Sequence, residues 1–559
     1  VIKKIWFLLI LVPFFLAITS CENDCCHDDG VQDSEESREF RIRVIGDACA
    51  KDVIGSHSLD LVGSLTVSID DRKGNNLFRK SFKRAELSSS LKISGINDVD
   101  YAVLTVSGFD VNDTNNIRWE GKVDGLAFSS GKKTAVDIVL YPKSGKGCLP
   151  EPMNIPRFGH ASTLLPDGRI LITGGFIQAS GRNWIAGKSV EIIDVESGVV
   201  ENLMDMNEER AMHEVVVLPD GSVVIFGGVR QLSVENRSID GYPVLPYTFL
   251  IQAITVERYV PEYPKLNMRR NGLGINIPNS VQTMNLSFTE IPFLQHQSYV
   301  VDESIPSKIT AYMVGGLSGT AAAGLLPSNK VFAFDIVDTG LEYVLSPVRE
   351  IAPGEKSAAL LPSAGFNNGK LFSVGGRNND ATHSGTVYDQ NSSTPWGSGA
   401  PNLFYAASYM LGGTLYTFGG LEMDGDGATL KDDRKPSYRY DVFGDNVAAS
   451  ENSFMTFGNS LFFSDAVYNQ KGNHFIVLGG AGGSKENINI GNALYQVVEV
   501  APFRVNISST PNTLSYALNY KRILPKGVID RNSRLFITGG VDSLNPDGRI
   551  VNVIEINNL

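Results

Sequence analysis

The sequence predicts an all-β fold: a small immunoglobulin-like or transthyretin-like β-sandwich followed by a seven-bladed β-propeller. Three observations predict it. Apolar and polar residues alternate with period two between Phe40 and Tyr141, the pattern of half-buried strands. A short apolar strand ending in two glycines recurs seven times between Ile172 and Gly540. The 559 residues include 56 glycines, more than the usual share of about 7%, so many tight turns are expected.

At the N-terminus, Lys3 and Lys4 precede an apolar run from Ile5 to Ile18, the outline of a secretory signal over 1–20. The run is shorter than the roughly 18 residues that span a bilayer, and no later segment is as long and apolar. Ile18-Thr19-Ser20-Cys21 resembles the lipobox of bacterial lipoproteins, which implies acylation of Cys21. Residues 21–39 are acidic and polar and read as a flexible tether.

Residues 40–145 form the predicted sandwich. Phe40, Ile42 and Val44 alternate with Arg41 and Arg43, and Leu65, Val67 and Ile69 with Thr66 and Ser68. The pattern continues around Leu91, Leu104 and Val136, with turns at Gly74-Asn75 and Asn112-Asp113. No catalytic constellation is present, and the segment reads as a spacer. Cys49 and Cys148 lie near its two ends, where an oxidising envelope would allow a disulfide. A zinc site is the weaker reading, because the nearby His27 and His57 match no common ligand spacing.

Residues 146–559 hold the repeat. Its glycine pairs begin at Gly174, Gly227, Gly315, Gly375, Gly419, Gly479 and Gly539, at intervals of 53, 88, 60, 44, 60 and 60 residues. Units near 50 residues point to four-stranded propeller blades. A further strand is expected after each pair, at 190–194, 256–259, 331–335, 387–389, 438–441, 495–498 and 551–554. The last repeat ends after its third strand, so 149–155 is expected to supply the fourth and close the ring. The interval of 88 reads as an insertion within 229–295.

The repeat resembles the kelch family. Arg157-Phe158-Gly159-His160 and Arg210-Ala211-Met212-His213 match its opening, each histidine 14 residues before its first glycine. Tyr405 stands at that offset in the fifth repeat, and Trp396 alone matches the family's fourth-strand tryptophan. A kelch ring behind a sandwich is similar to the layout of galactose oxidase, which implies a copper site built on a cysteine–tyrosine crosslink. Every cysteine here lies at or before Cys148, so that cofactor cannot be assembled in the ring. No cofactor, metal or catalytic residue is assigned.

The net charge of −12 opposes nucleic acid as a partner, and the membrane is reached only through the lipid anchor. His160, His213 and His296 read as structural. Arg157, Arg210, Arg230 and Arg377 are expected to ring one mouth, where guanidinium forks would hold a carboxylate such as that of an acidic sugar. Asp424, Asp426, Asp432 and Asp433 resemble a calcium loop without the full ligand spacing and read as a hairpin tip. The preferred function is a non-catalytic envelope module that binds a protein or glycan through loops at 229–295, 421–437 and 481–492. An isomerase, lyase or hydrolase of acidic sugars is the second reading.

Overall fold

The structure, a computed structural model, describes residues 38–45, 62–129 apart from 89, 135–178, 184–234, 247–261 apart from 253–254, 280–284, 298–320, 324–327, 330–351, 363–375, 385–396 apart from 390–391, 403–404, 406–422, 436–456 apart from 444–445, 463–498 apart from 485–486 and 491–492, and 514–559 apart from 544–547. Cys21, Cys49, His296, Arg377, Tyr405 and the aspartates of 424–433 lie outside the described residues. Within them the chain is all-β, with a single short 3₁₀ turn at Arg84–Glu86. No helix among the described residues is long and apolar enough to cross a membrane.

The N-terminal unit is one seven-stranded path, in the order Asn76–Lys83, Val62–Asp71, Val99–Asp110, Ile117–Phe128, Ala135–Pro142, Arg38–Val44, Ser90–Ile93. Its one parallel pair joins Arg38–Val44 to Ala135–Pro142. The sequence suggested two separate sheets; instead a single sheet curls over. The strand ladder passes from one half to the other where Trp119 and Glu120 pair with Pro142 and Tyr141. Gly121 permits the fold there, because a Cβ would stand 2.8 Å from Leu140 Cδ2 and closer still to Val139 O. The alternating side chains Phe40, Ile42, Leu65, Val67, Leu104, Val106 and Ile138 thereby share one core.

Each double glycine follows the second strand of an antiparallel sheet, four-stranded except for the third, where both Tyr343–Leu345 and Arg349–Ile351 pair with Val331–Asp338. The first sheet runs Ala161–Leu164, Ile170–Thr173, Val190–Asp194, Val199–Asn202, and the second Glu214–Val217, Val223–Phe226, Val256–Val260, Ser280–Met284. The third to sixth follow the same order, with first strands at Ser298–Ile305, Ser363–Asn367, Ala407–Leu411 and Asp465–Asn469. The seventh consists of Lys526–Ile529, Arg534–Thr538, Glu555–Asn558 and Gly145–Cys148. Second strands such as Ile170–Thr173, Val223–Phe226, Thr414–Phe418 and Arg534–Thr538 are buried at every position, as expected for strands covered on both faces.

The last sheet differs from the sequence expectation in register. Its third strand is Glu555–Asn558 rather than 551–554, and its fourth is Gly145–Cys148 rather than 149–155. Pro150 and Pro152 explain the second shift, since neither can donate to a ladder. Beyond the strand only two backbone bonds continue, Leu149 N to Ile554 O at 2.9 Å and Met153 N to Asn552 O at 2.9 Å. Cys148 is disulfide-bonded.

Apolar clusters join each sheet to the next. Leu171 and Ile192 meet Ile225 and Tyr259 between the first and second, and Phe226 meets Phe334 between the second and third. Leu371 meets Val331, Leu415 meets Phe372, Phe475 meets Phe418, and Leu478 meets Leu535. The seventh and first share a cluster in which Phe536 and Ile554 pack with Ile172 and Ile193. The N-terminal sheet enters this last cluster through Ile45, Val139 and Tyr141.

That docking is specific. Tyr141 Oη donates to Val195 O at 2.6 Å, Val139 N to Glu196 O at 2.8 Å, and Asn558 Nδ2 to Pro142 O at 2.7 Å. The Arg534 guanidinium lies 3.8 Å from the Tyr141 ring centroid. Val195 and Glu196 follow the third strand of their sheet and Arg534 begins the second strand of its own. In an antiparallel sheet both positions lie at the end opposite the glycine pairs.

Candidate functional site

The opposite end, where the glycine pairs lie, is built from a repeated set of contacts. A buried arginine reaches back to the carbonyl of the first glycine: Arg157 Nη1 to Gly174 O at 2.7 Å, Arg210 Nη1 to Gly227 O at 3.0 Å, and Arg522 Nη1 to Gly539 O. Each also pairs with a buried glutamate of its third strand. Arg157 Nη2 lies 2.5 Å from Glu191, and Arg210 and Arg522 lie 3.0 Å from Glu257 and Glu555.

The carboxylates do a second job. Glu191 accepts from the backbone N–H of Asn154 and Ile155, Glu257 from Asn207 and Glu208, and Glu555 from Asn519 and Tyr520. Each donor pair comes from the residues three and two before the arginine. The buried charges are thus matched and their lone pairs occupied, the condition for a buried ion pair to be tolerated.

Neighbouring sheets are joined through the same loop. The second glycine donates its N–H to the next arginine's carbonyl: Gly175 to Arg210 at 2.9 Å, Gly480 to Arg522 at 2.7 Å, and Gly540 to Arg157 at 3.0 Å. His213 Nε2 lies 2.8 Å from Thr173 Oγ1 in the sheet before it, and His160 Nε2 lies 2.8 Å from Thr538 Oγ1 of the seventh sheet. A Cβ on Gly539 would stand 2.8 Å from His160 Nδ1 and closer to Arg157 O. The glycine pair is therefore required by the approach of the next sheet as well as by its positive φ, 57° at Gly539 and 100° at Gly540. Burial, and then the nearby arginines and Lys526, holds both histidines well below the usual imidazole range.

On the first strands, Lys526 Nζ lies 3.1 Å from Asp465 Oδ1, and Asp465 Oδ2 accepts from Gly527 N at 2.9 Å. Asp465 and then Glu214 favour the Lys526 ammonium, raising its pKa against desolvation. Burial raises the Glu214 carboxyl, which Lys526 partly offsets. Lys526 of the seventh sheet and Asp465 of the sixth thus meet in an ion pair.

Hairpins rise from the glycine pairs. Phe176–Gln178 and Trp184–Ala186 follow Gly175, and Val229–Val234 and Tyr247–Gln252 follow Gly228. They combine into one four-stranded sheet through the pairs Trp184↔Leu232 and Ile185↔Gln231. Shorter hairpins follow Gly316 and Gly480. Trp184 is buried against Phe158, their centroids 4.7 Å apart, and Ile185 is 40% exposed.

The four arginines expected at a mouth do not come together. Arg157 and Arg210 are fully buried and committed to the glycine carbonyls and glutamates, so they hold the sheets rather than face a ligand. Arg230 is 42% exposed and pairs with Glu209 at 3.0 Å; Arg377 lies outside the described residues. Sequence reasoning missed Glu191, Glu257 and Glu555, each of which stands beside apolar residues in its third strand. It also missed Asp465 and Lys526, whose proximity depends on the strand register. Among the described residues no group of three or more His, Cys, Asp or Glu is arranged to hold a metal.

No protein-family model matches the chain, and no curated protein matches it. A solved structure titled "Structure of YjhT" aligns with 64% of this chain and 95% of its own, at 14% identity and a TM-score of 0.35.

Proposed function

We propose that the seven double-glycine sheets are the blades of a kelch-type β-propeller in a lipid-anchored cell-envelope protein, which binds a protein or glycan at its glycine end without catalysis. The ring is supported by the Gly540-to-Arg157 bond and the His160–Thr538 bridge, which repeat between the seventh and first sheets the contacts made between the first and second. The observation that carries the binding reading is polarity. The N-terminal sheet docks at one end through Tyr141 and Val139, while the hairpins and the Lys526–Asp465 pair occupy the other. An anchor at Cys21 would then leave the hairpin face directed at the surroundings, where long loops serve recognition.

The second reading, an enzyme acting on acidic sugars, loses its main support because Arg157 and Arg210 are buried structural groups. A photocrosslinking residue at Ile185 or Arg230 tests the binding face in cells. Adducts from these positions, and none from Lys122 on the N-terminal sheet, are expected; adducts only from Lys122 would overturn the assignment. Radioactive fatty acid is expected to label the chain and not Cys21→Ala, and label persisting in the variant would refute the anchor.

A further inference from the structure

The N-terminal unit docks across the seam between the seventh and first sheets and bonds to both. On the first sheet, Val139 N donates to Glu196 O at 2.8 Å and Tyr141 Oη to Val195 O at 2.6 Å. The turn that receives Val139 contains Gly198, with φ 71°, where a Cβ would stand 2.5 Å from Val139 Cγ2. Arg43 of the unit pairs with Glu151 at 2.6 Å, and Glu151 accepts from Val200 N at 3.2 Å. On the seventh sheet, Asn558 Nδ2 donates to Pro142 O at 2.7 Å.

The chain leaves almost no slack between dock and seam. Strand Ala135–Pro142 of the unit continues into Gly145–Cys148, the fourth strand of the seventh sheet, through Lys143 and Ser144 alone. Lys143 N is itself bonded to Arg118 O of the unit at 2.8 Å, which leaves Ser144 as the link, and one residue reaches at most about 3.6 Å. Lifting the unit farther than that draws Gly145 away from Asn558, its ladder partner. Among the described residues Gly145–Cys148 is the edge of its sheet, paired on one side.

Strand Glu555–Asn558 carries a disturbance there to the opposite end of the sheet. At one end Asn558 meets Pro142 of the unit. At the other, Glu555 pairs with Arg522 at 3.0 Å and accepts from the backbone N–H groups of Asn519 and Tyr520. Arg522 in turn donates to Gly539 O, so a single strand links the dock to the glycine end. We propose that the N-terminal unit is a latch: docked, it holds this strand and the 519–523 loop in place, and undocked, it loosens both. The coupling uses contacts of the seventh and first sheets alone and operates whether or not the hairpins bind a partner.

Hydrogen–deuterium exchange of the full chain, read by mass spectrometry, tests the latch, because exchange reports local opening segment by segment. Rates are taken relative to 414–418 in the fifth sheet, which removes any global loss of stability. Gly198→Ala drives a Cβ into Val139 and should raise the relative rates of 136–142, 145–148, 555–558 and 519–523 together, by about tenfold. Gly168→Ala is the control for backbone strain, since its φ is 93° and nothing lies within 4 Å of its would-be Cβ; it should leave the relative rates of 555–558 and 519–523 unchanged. If circular dichroism shows Gly198→Ala misfolded, Tyr141→Phe takes its place, with a rise of about fivefold expected over the same segments. Faster exchange confined to 136–142, an equal rise in the control, or no relative rise in the latch variant would overturn the proposal.

Discussion

Replacing Gly539 by alanine tests the account of how successive sheets are held together. The residue has φ 57°, and forcing a residue with a Cβ into the left-handed region costs about 1–2 kcal/mol. The new Cβ would also stand 2.8 Å from His160 Nδ1 and closer to Arg157 O, whereas nonbonded carbon contacts are comfortable at about 3.5–4.0 Å. The first sheet must therefore move away from the seventh. That stretches the 3.0 Å bond from Gly540 to Arg157 and the 2.8 Å contact between His160 and Thr538, each worth about 1 kcal/mol. The expected loss is about 3–4 kcal/mol. Gly168→Ala is the control, because Gly168 has φ 93° but nothing within 4 Å of its would-be Cβ; it should lose only the backbone share. Urea titrations followed by tryptophan fluorescence and circular dichroism supply the comparison. Equal losses in the two variants would refute the idea that close approach of the next sheet is what requires the glycine.

Arg210→Met leaves Glu257 buried without its cation and should lose about 3–5 kcal/mol; in urea titrations, adding Glu257→Gln to it should lose less than the sum of the single changes. His160 and His213 are held neutral when folded, so the unfolded chain binds more protons below its ordinary histidine pKa of about 6.5. Stability should therefore fall as pH drops from 7.5 to 5.5, by up to about 1.4 kcal/mol per unit per histidine below 6.5. In the same titrations, His213→Gln should reduce the slope, and an unchanged slope would exclude His213 as a source of it. Tyr141→Phe removes the bond to Val195 O and should lose about 1 kcal/mol, read as faster release of the N-terminal unit in limited proteolysis. Peptide mapping without reductant should find Cys148 joined to Cys49, and a bond to Cys25 or Cys26 would contradict that pairing.

The glycine pairs were legible because tolerance of positive φ is written in a residue's identity. Their partners were not: Glu191 and Glu257 are 34 and 47 residues from the arginines they neutralise. Arg157 and Arg210 illustrate the limit most clearly, since a guanidinium near a mouth and one locked beneath it have the same local sequence. The fourth strand of the seventh sheet was expected at 149–155 and lies at 145–148, and Pro150 and Pro152 carried the information needed to place it correctly. Nothing local predicts that Trp184 pairs across to Leu232, because that joins the loops of two separate repeats. The pairing of Asp465 with Lys526 became visible only when two first strands were set side by side.

The seventh sheet has a consequence for how the chain is made. Its fourth strand, Gly145–Cys148, precedes the other six sheets, and its third, Glu555–Asn558, is synthesised after all of them. Across such a span the loop-closure entropy rises only by about 0.6 kcal/mol for each doubling of length, but the wait is long. Until the last strand emerges, the strand at 145–148 and the second strand at 534–538 each lack a neighbour, and Ile554 and Ile556 are missing from the core shared with Tyr141 and Ile172. A nascent chain in that condition exposes open edges and apolar surface together, the combination that favours aggregation. Truncation before Glu555 should therefore act as a folding defect that leaves the earlier sheets assembled and the seventh without its third strand.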